Sequence, residues 1–169
     1  MSETAAATTV PSVRFFVAGT PATAGSKRGV PIYRGKKGEP RVFTGKVAVV
    51  EDSARSQPWR QDVQGAAREA MAALGLSPFT GALFVSMRFV MRRPQAHVGA
   101  HGLRPSAPTF PGGRPDLLKL ARAVEDACTG ICWFDDAQIV VESLEKVYVD
   151  AVTAREPGVL VDVREVAPA

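Results

Sequence analysis

RPDLLKLARAVEDACTGICWFDDAQIVVESLEK, residues 114–146, reads as a helix, a turn carrying paired aspartates, and a strand. Pro115 suits a first helical position, because its missing N–H has no intrahelical partner there. Asp116 follows in the first turn, where a carboxylate meets the positive end of the helix dipole. Leu117, Leu120, Ala121, Val124 and Cys128 recur at helical spacing and form one apolar face. Lys119, Arg122 and Asp126 fall opposite, and Gly130 is a stop signal. Leu118 does not fit: at roughly 100° per residue it points towards the polar side.

Beyond the turn, Gln138 to Val149 is a β-type run. Ile139, Val141, Val147 and Val149 share one parity; Gln138, Glu142, Lys146 and Tyr148 share the other, a row that Asp136 would extend. Laying this strand beside the helix is expected to bring Asp136 close to Asp116. Two converging carboxylates repel unless a cation sits between them, and Mg²⁺ is commonly held by one or two carboxylates with water and phosphate oxygens. A plainer assignment stands beside this one, and residue types alone favour it. In it Asp116 is a helix-start residue and Asp135–Asp136 a solvated turn.

The chain has 169 residues, the length of one domain, and its 46 % hydrophobic and 22 % charged content is that of a globular protein. The charge distribution is more informative than the net +4. Residues 26–46 carry seven bases (Lys27, Arg28, Arg34, Lys36, Lys37, Arg41 and Lys46) against Glu39 alone. No acid lies between Glu69 and Asp116, a span with five arginines that include Arg92 and Arg93. Residues 115–169 reverse the balance, with eleven acids and five bases. Basic groups dock a phosphate backbone and acids hold an ion, the division a phosphodiester-cutting enzyme needs. A solvated basic loop explains the first run equally well.

Two cysteines, Cys128 and Cys132, exclude a disulfide framework and make zinc a poor fit. His97 and His101 are four apart, but glycines and Pro94 around them argue against a helical metal pair. No apolar run is long enough to span a membrane, and MSETAAATTVPS lacks the features of a signal peptide. A cytoplasmic protein is expected.

Residues 1–11 read as a disordered tail, with a single domain over 12–169. Val13 to Ala18 is a strand candidate, and 19–41 a long Gly/Pro/Lys/Arg loop carrying Tyr33. Val47 to Val50 is an edge strand or part of a loop. A helix is predicted from Gln57 to Leu74, with Ser56 as N-cap and a buried stripe of Trp59, Val63, Ala67, Ala70 and Leu74. Ala82 to Arg92 alternates as a strand with one covered face, 93–114 is a Pro/Gly-rich loop, and Gly158 to Val166 is a final strand. The order predicts an α+β fold: a mixed or antiparallel sheet with two main helices on one face. P-loop, dinucleotide and Ser/Cys nucleophile motifs are absent.

Asp116, Arg122, Asp126–Ala127, Asp135–Asp136, Gln138 and Lys146, at these spacings, resemble the signature of the RusA-type Holliday junction resolvases. The matching segment is about a fifth of the chain. Weaker likeness runs through GTPATAGSKR, PWRQDVQGAA and RRPQAHVGAHG, in an order similar to the family's phage branch. The resemblance implies a homodimeric, Mg²⁺-dependent (or Mn²⁺-dependent) endonuclease that nicks four-way DNA junctions symmetrically. It implies Asp116 and Asp136 as ion ligands with Asp135 beside them, Arg122 as the cation near the phosphate, and Lys146 in support. Lys27, Arg28, Arg34, Lys36, Lys37, Arg92 and Arg93 are the DNA-contacting candidates, and Tyr33 is expected either to stack on an unpaired base or to pack on the loop's own base.

One departure is sharp: the family's second aspartate is replaced by Leu118. Either Asp116 and Asp136 work with Asp135 or Glu142 as a substitute ligand, or the chain binds junctions and cuts them poorly. A small phage structural protein with incidental basic charge is the remaining alternative.

Overall fold

The computed structural model describes residues 10–23, 27–35, 38, 40–51, 56–151 and 156–166. The expected tail lies outside these residues up to position 9, as do Lys36 and Lys37. The elements are β1 (Ser12–Ala18), β2 (Lys27–Arg34), β3 (Val42–Glu51), α1 (Ser56–Ala73), β4 (Leu83–Met91), β5 (Val98–Gly99), β6 (Gly102–Leu103), α2 (Leu117–Cys128), β7 (Ile139–Tyr148) and β8 (Gly158–Glu165).

Four strands form the main sheet in the order β1-β8-β4-β7. β8 pairs antiparallel with both β1 and β4, whereas β4 and β7 run parallel, so the sheet is mixed. The parallel pair needs a crossover, and α2 lies on that path. Strand alternation sorts the side chains. Val13, Phe15 and Val17 of β1, Leu83, Val85, Met87 and Phe89 of β4, and Val159, Val161 and Val163 of β8 are buried in one core. Trp59, Val63, Ala67 and Met71 of α1, and Leu120, Ala121, Val124, Ala127 and Cys128 of α2, close that same core. Both helices therefore cover one face, giving the expected α+β architecture. The other face carries charges, with Arg14 3.7 Å from Asp162 and Arg88 bonded to Glu145.

Several expectations are corrected. The 19–41 segment is not a continuous loop: β2 lies inside it and pairs antiparallel with β3, from Lys27 opposite Glu51 to Arg34 opposite Val42. Every described side chain of β2 and β3 is exposed or half-buried, so neither strand shows the alternation that marks a strand in sequence. The stripe of α1 continues to Met71, whereas Leu74 lies past the helix end at 58 % exposure. The 93–114 loop contains the small β5–β6 hairpin. Pro115 does not open α2; it precedes the helix in a cis peptide with Arg114. Asp116 takes the N-cap instead, with extended backbone, because its carboxylate accepts the N–H groups of Leu118 and Lys119. The β7 parity holds in part. Val140 and Val141 are both exposed on this edge strand, while Val147 and Tyr148 are both buried.

Candidate active site

Two pockets lie along α2, one near each end. At the N-terminal end Asp116 Oδ1 accepts from Leu118 N at 3.0 Å and Lys119 N at 3.3 Å. Lys146 crosses from β7 and donates to the carbonyl oxygens of Gly113 at 2.9 Å and Pro115 at 2.8 Å. It thereby holds the chain entering the helix against the strand. The pocket here, about 890 Å³, is lined by Thr23, Gly112–Leu117, Lys119 and Lys146. Arg114, Lys119 and Lys146 give it a cationic rim suited to phosphate.

At the C-terminal end, α2 stops at Cys128 and Thr129 is its C-cap. Gly130 follows with φ of 79°, the left-handed conformation that ends many helices and suits glycine. The reversal delivers Asp136 back to the helix end. Its Oδ1 accepts from Thr129 Oγ1 at 2.6 Å and from the buried Trp133 Nε1 at 2.9 Å. Asp135 does different work: its Oδ1 accepts from Ala137 N at 2.8 Å and caps a 3-10 turn over Asp136–Gln138.

Gln138 fixes this turn from both sides. Its Oε1 accepts from Phe134 N and Asp135 N at 2.8 and 3.0 Å. Its Nε2 donates to Phe79 O and Gly81 O at 2.9 and 3.1 Å, fastening the aspartate turn to the lead-in of β4. Phe79 N returns a bond to Cys132 O at 2.8 Å.

The second pocket, about 440 Å³, is lined by Arg122, Glu125, Asp136, Ala137, Ile139, Val140, Val141 and Glu142. Burial, a hydrogen bond to Glu142 and the charges of Glu142 and Asp136 push the Glu125 carboxyl up to about 7, against the opposing pull of Arg122. Behind it the thiols of Cys128 and Cys132 touch. That contact and burial raise the Cys128 pKa well above the usual thiol range.

The predicted aspartates are thus not gathered. Asp116 begins α2 and Asp136 is bonded to its C-cap. Twelve helical residues separate those ends, a length of about 18 Å at 1.5 Å per residue. Among the described residues no group of three or more His, Cys, Asp or Glu side chains is disposed to hold a metal ion. Arg122 does line the pocket with Asp136, and lies 3.5 Å from Asp126. Sequence reasoning raised Glu142 as a substitute but missed Glu125. The signal was available: Glu125 lies one helical turn beyond Arg122.

Of the DNA-contacting candidates, Arg34 is exposed on β2 and Arg92 is exposed after β4; Lys27 and Arg28 lie in β2. Arg93 is engaged elsewhere. It makes three hydrogen bonds to the Asp150 carboxylate and one to Pro108 O, and its guanidinium stacks 3.9 Å over Tyr148. The bonds from Arg93 hold the Asp150 carboxyl below its ordinary range. Arg93 is therefore a clasp for the 93–114 segment, a correction to its expected DNA role. Its 10 % side-chain exposure leaves little surface for a phosphate.

The sequence model of the family described as endodeoxyribonuclease RusA matches residues 33–164, from the middle of the β2–β3 hairpin almost to the end of β8. This chain belongs to the RusA endodeoxyribonuclease family. No curated protein matches it. RusA endodeoxyribonucleases are nucleases of branched DNA, with Holliday junction resolution as the family's general activity. No described helix is long and apolar enough to cross a membrane.

Proposed function

We propose that this RusA-family protein is a structure-selective endonuclease that acts on four-way DNA junctions as a homodimer and depends on Mg²⁺, with Mn²⁺ as a substitute. The observation that carries the reading is the acidic pocket where Asp136, Glu125 and Glu142 meet beside Arg122. The trio of Asp116, Asp135 and Asp136 does not fit one ion within a single chain, because Asp116 lies at the other end of α2 and Asp135 caps a turn. The pocket at Asp136 fits by donor chemistry. It offers hard carboxylate oxygens, and one of its carboxyls retains a proton to about pH 7 where a cation would relieve the repulsion. Asp136 and Glu142 would hold the ion there, since one or two carboxylates with water and phosphate oxygens suffice for Mg²⁺, and Glu125 borders them. A bound Mg²⁺ supplies Lewis-acid stabilisation of charge on a phosphate and activates water.

The chain's own residues do the positioning. Thr129 and Trp133 orient Asp136, and Gln138 fixes the turn that carries it. Arg122 brings a guanidinium to the pocket edge, where it can pair with a phosphate oxygen. Arg114 and Lys119, at the far end of α2, take backbone phosphates of the same substrate, with Lys146 bracing that end. A two-fold dimer would present two such sites to a nearly two-fold junction.

The decisive experiment is cleavage of a synthetic four-way junction in Mg²⁺ by the parent protein and by Asp136→Asn. Cleavage by the parent and its loss in the variant, with junction binding retained, is the expected result. Wild-type cleavage by the variant rejects the site.

Leu118 favours a second reading, a junction-binding protein that does not cut. It is 69 % exposed on the first turn of α2, where the resemblance calls for an aspartate. An uncleaved junction with the parent protein in both Mg²⁺ and Mn²⁺ selects this reading.

A further inference from the structure

The β2–β3 hairpin is an arm whose strands pair with each other and have little packing against the main sheet or the helices. A two-stranded ribbon of this kind is marginal in water unless something covers it. Its side chains nevertheless include large apolar groups left open. Tyr33 and Phe43 are directly opposite in the register, with ring centroids 5.8 Å apart and planes at 57°. They are 53 % and 49 % exposed, so about half of each residue's surface faces solvent. Val47, opposite Pro31, is 55 % exposed.

The position next to the rings is cationic. Beyond the Tyr33–Phe43 and Arg34–Val42 pairs the strands end, and Gly35 follows beside Arg41. A Cβ added at Gly35 would lie 3.3 Å from the Arg41 Cα. Glycine thus lets the Arg41 backbone approach closely, and the exposed Arg41 lies two residues before Phe43 in the chain. Thr23, shortly before the arm begins at Lys27, lines the cationic pocket at the start of α2. The arm is therefore rooted at the phosphate-docking end of the proposed site.

We propose that the Tyr33–Phe43 pair is a base-stacking platform for an unpaired nucleotide at a DNA branch point, with Arg41 taking the adjoining phosphate. Aromatic faces accept any base, and a neighbouring cation holds the backbone. Charge argues against a second arm as the occupant. Residues 26–46 carry seven bases and one acid, so two arms brought together repel, whereas a polyanion is attracted. The inference rests on the branched-DNA reading above but not on cleavage.

The test measures binding in EDTA to two probes, a synthetic four-way junction and a linear duplex of the same length. The proteins are the parent, the double variant Tyr33→Leu/Phe43→Leu, and Tyr33→Trp/Phe43→Trp. Leucine keeps an apolar cross-strand pair and so preserves the ribbon, but offers no aromatic face. The double leucine variant is expected to lose roughly tenfold in junction affinity with duplex affinity unchanged, and the tryptophan variant to retain parent affinity. Arg41→Gln should weaken both probes and lower the salt dependence of binding. Equal loss on both probes by the leucine variant, no loss on either, or a change in its sedimentation mass overturns the platform. A parent protein that fails to prefer the junction overturns the branched-DNA reading itself.

Discussion

Thr129 donates its hydroxyl to Asp136 at 2.6 Å, fastening the second aspartate of the turn to the C-cap of α2. Asp116 caps the opposite end of the same helix. The two aspartates are thus bound to one rigid rod at its two ends, and their roles separate.

Neutralising each should have unequal effects. Asn is as good an N-cap as Asp, so Asp116→Asn keeps the bonds to Leu118 and Lys119 and leaves stability within about 0.5 kcal/mol. Its cleavage rate is expected to fall less than tenfold. Removing even an outer partner of a metal site costs about 10–100-fold, and Asp136→Asn should exceed that. Single-turnover rates on a four-way junction measure both, and equal losses would mean that the two carboxylates act on one ion.

On the junction-binding reading, Leu118→Asp should restore cleavage. The position is exposed, so little packing is lost, and a carboxylate in the first helical turn is favoured by the dipole by about 0.3–1 kcal/mol. It also stands one turn before Arg122. Rates for parent and variant in Mg²⁺ and Mn²⁺ decide the matter; an unchanged rate would show that position 118 has no part in the chemistry.

Gln138→Ala should destabilise the protein by about 1–3 kcal/mol, because it removes two bonds given to carbonyls and two accepted from N–H groups. Cleavage should fall with it, since the turn carrying Asp136 loses its tie to Phe79 and Gly81. Denaturant unfolding reads the first effect. A variant as stable as the parent would show that the turn is held without this side chain.

Glu125 predicts a pH slope. In the folded protein its carboxyl, facing Glu142 of β7, Asp136 of the turn and Arg122 of its own helix, holds its proton to about pH 7. The unfolded chain releases that proton near 4.5. The folded state therefore binds more protons between those values, and stability falls as pH rises through that window. In EDTA, the melting temperature of Glu125→Gln relative to the parent should grow between pH 5 and pH 8. A constant difference would remove the proposed crowding of carboxyls.

Much of this was legible in the sequence where one face of an element is buried. Leu120, Ala121, Val124 and Cys128 mark α2, and Val159, Val161 and Val163 mark β8, because the core imposes its period on them. β2 was not legible, since a ribbon open on both sides imposes no period on Val30 or Ile32. The aspartates were found as residues but not as a geometry. Spacing along the chain does not say that α2 keeps its two ends apart, or that Glu125 is drawn towards Glu142. Arg93 read as a surface cation because its partners, Asp150 and Tyr148, lie more than fifty residues away.

The strand order has a consequence for how the protein comes into being. β8 is the last strand in sequence, yet it lies between β1 and β4. While the chain is being synthesised, the first strand has no neighbour to pair with until residues 158–165 leave the ribosome. Nascent chains ending before Gly158 cannot complete the sheet that supports α2 and β7. Any cutting of DNA must therefore wait for the final strand to slot into place.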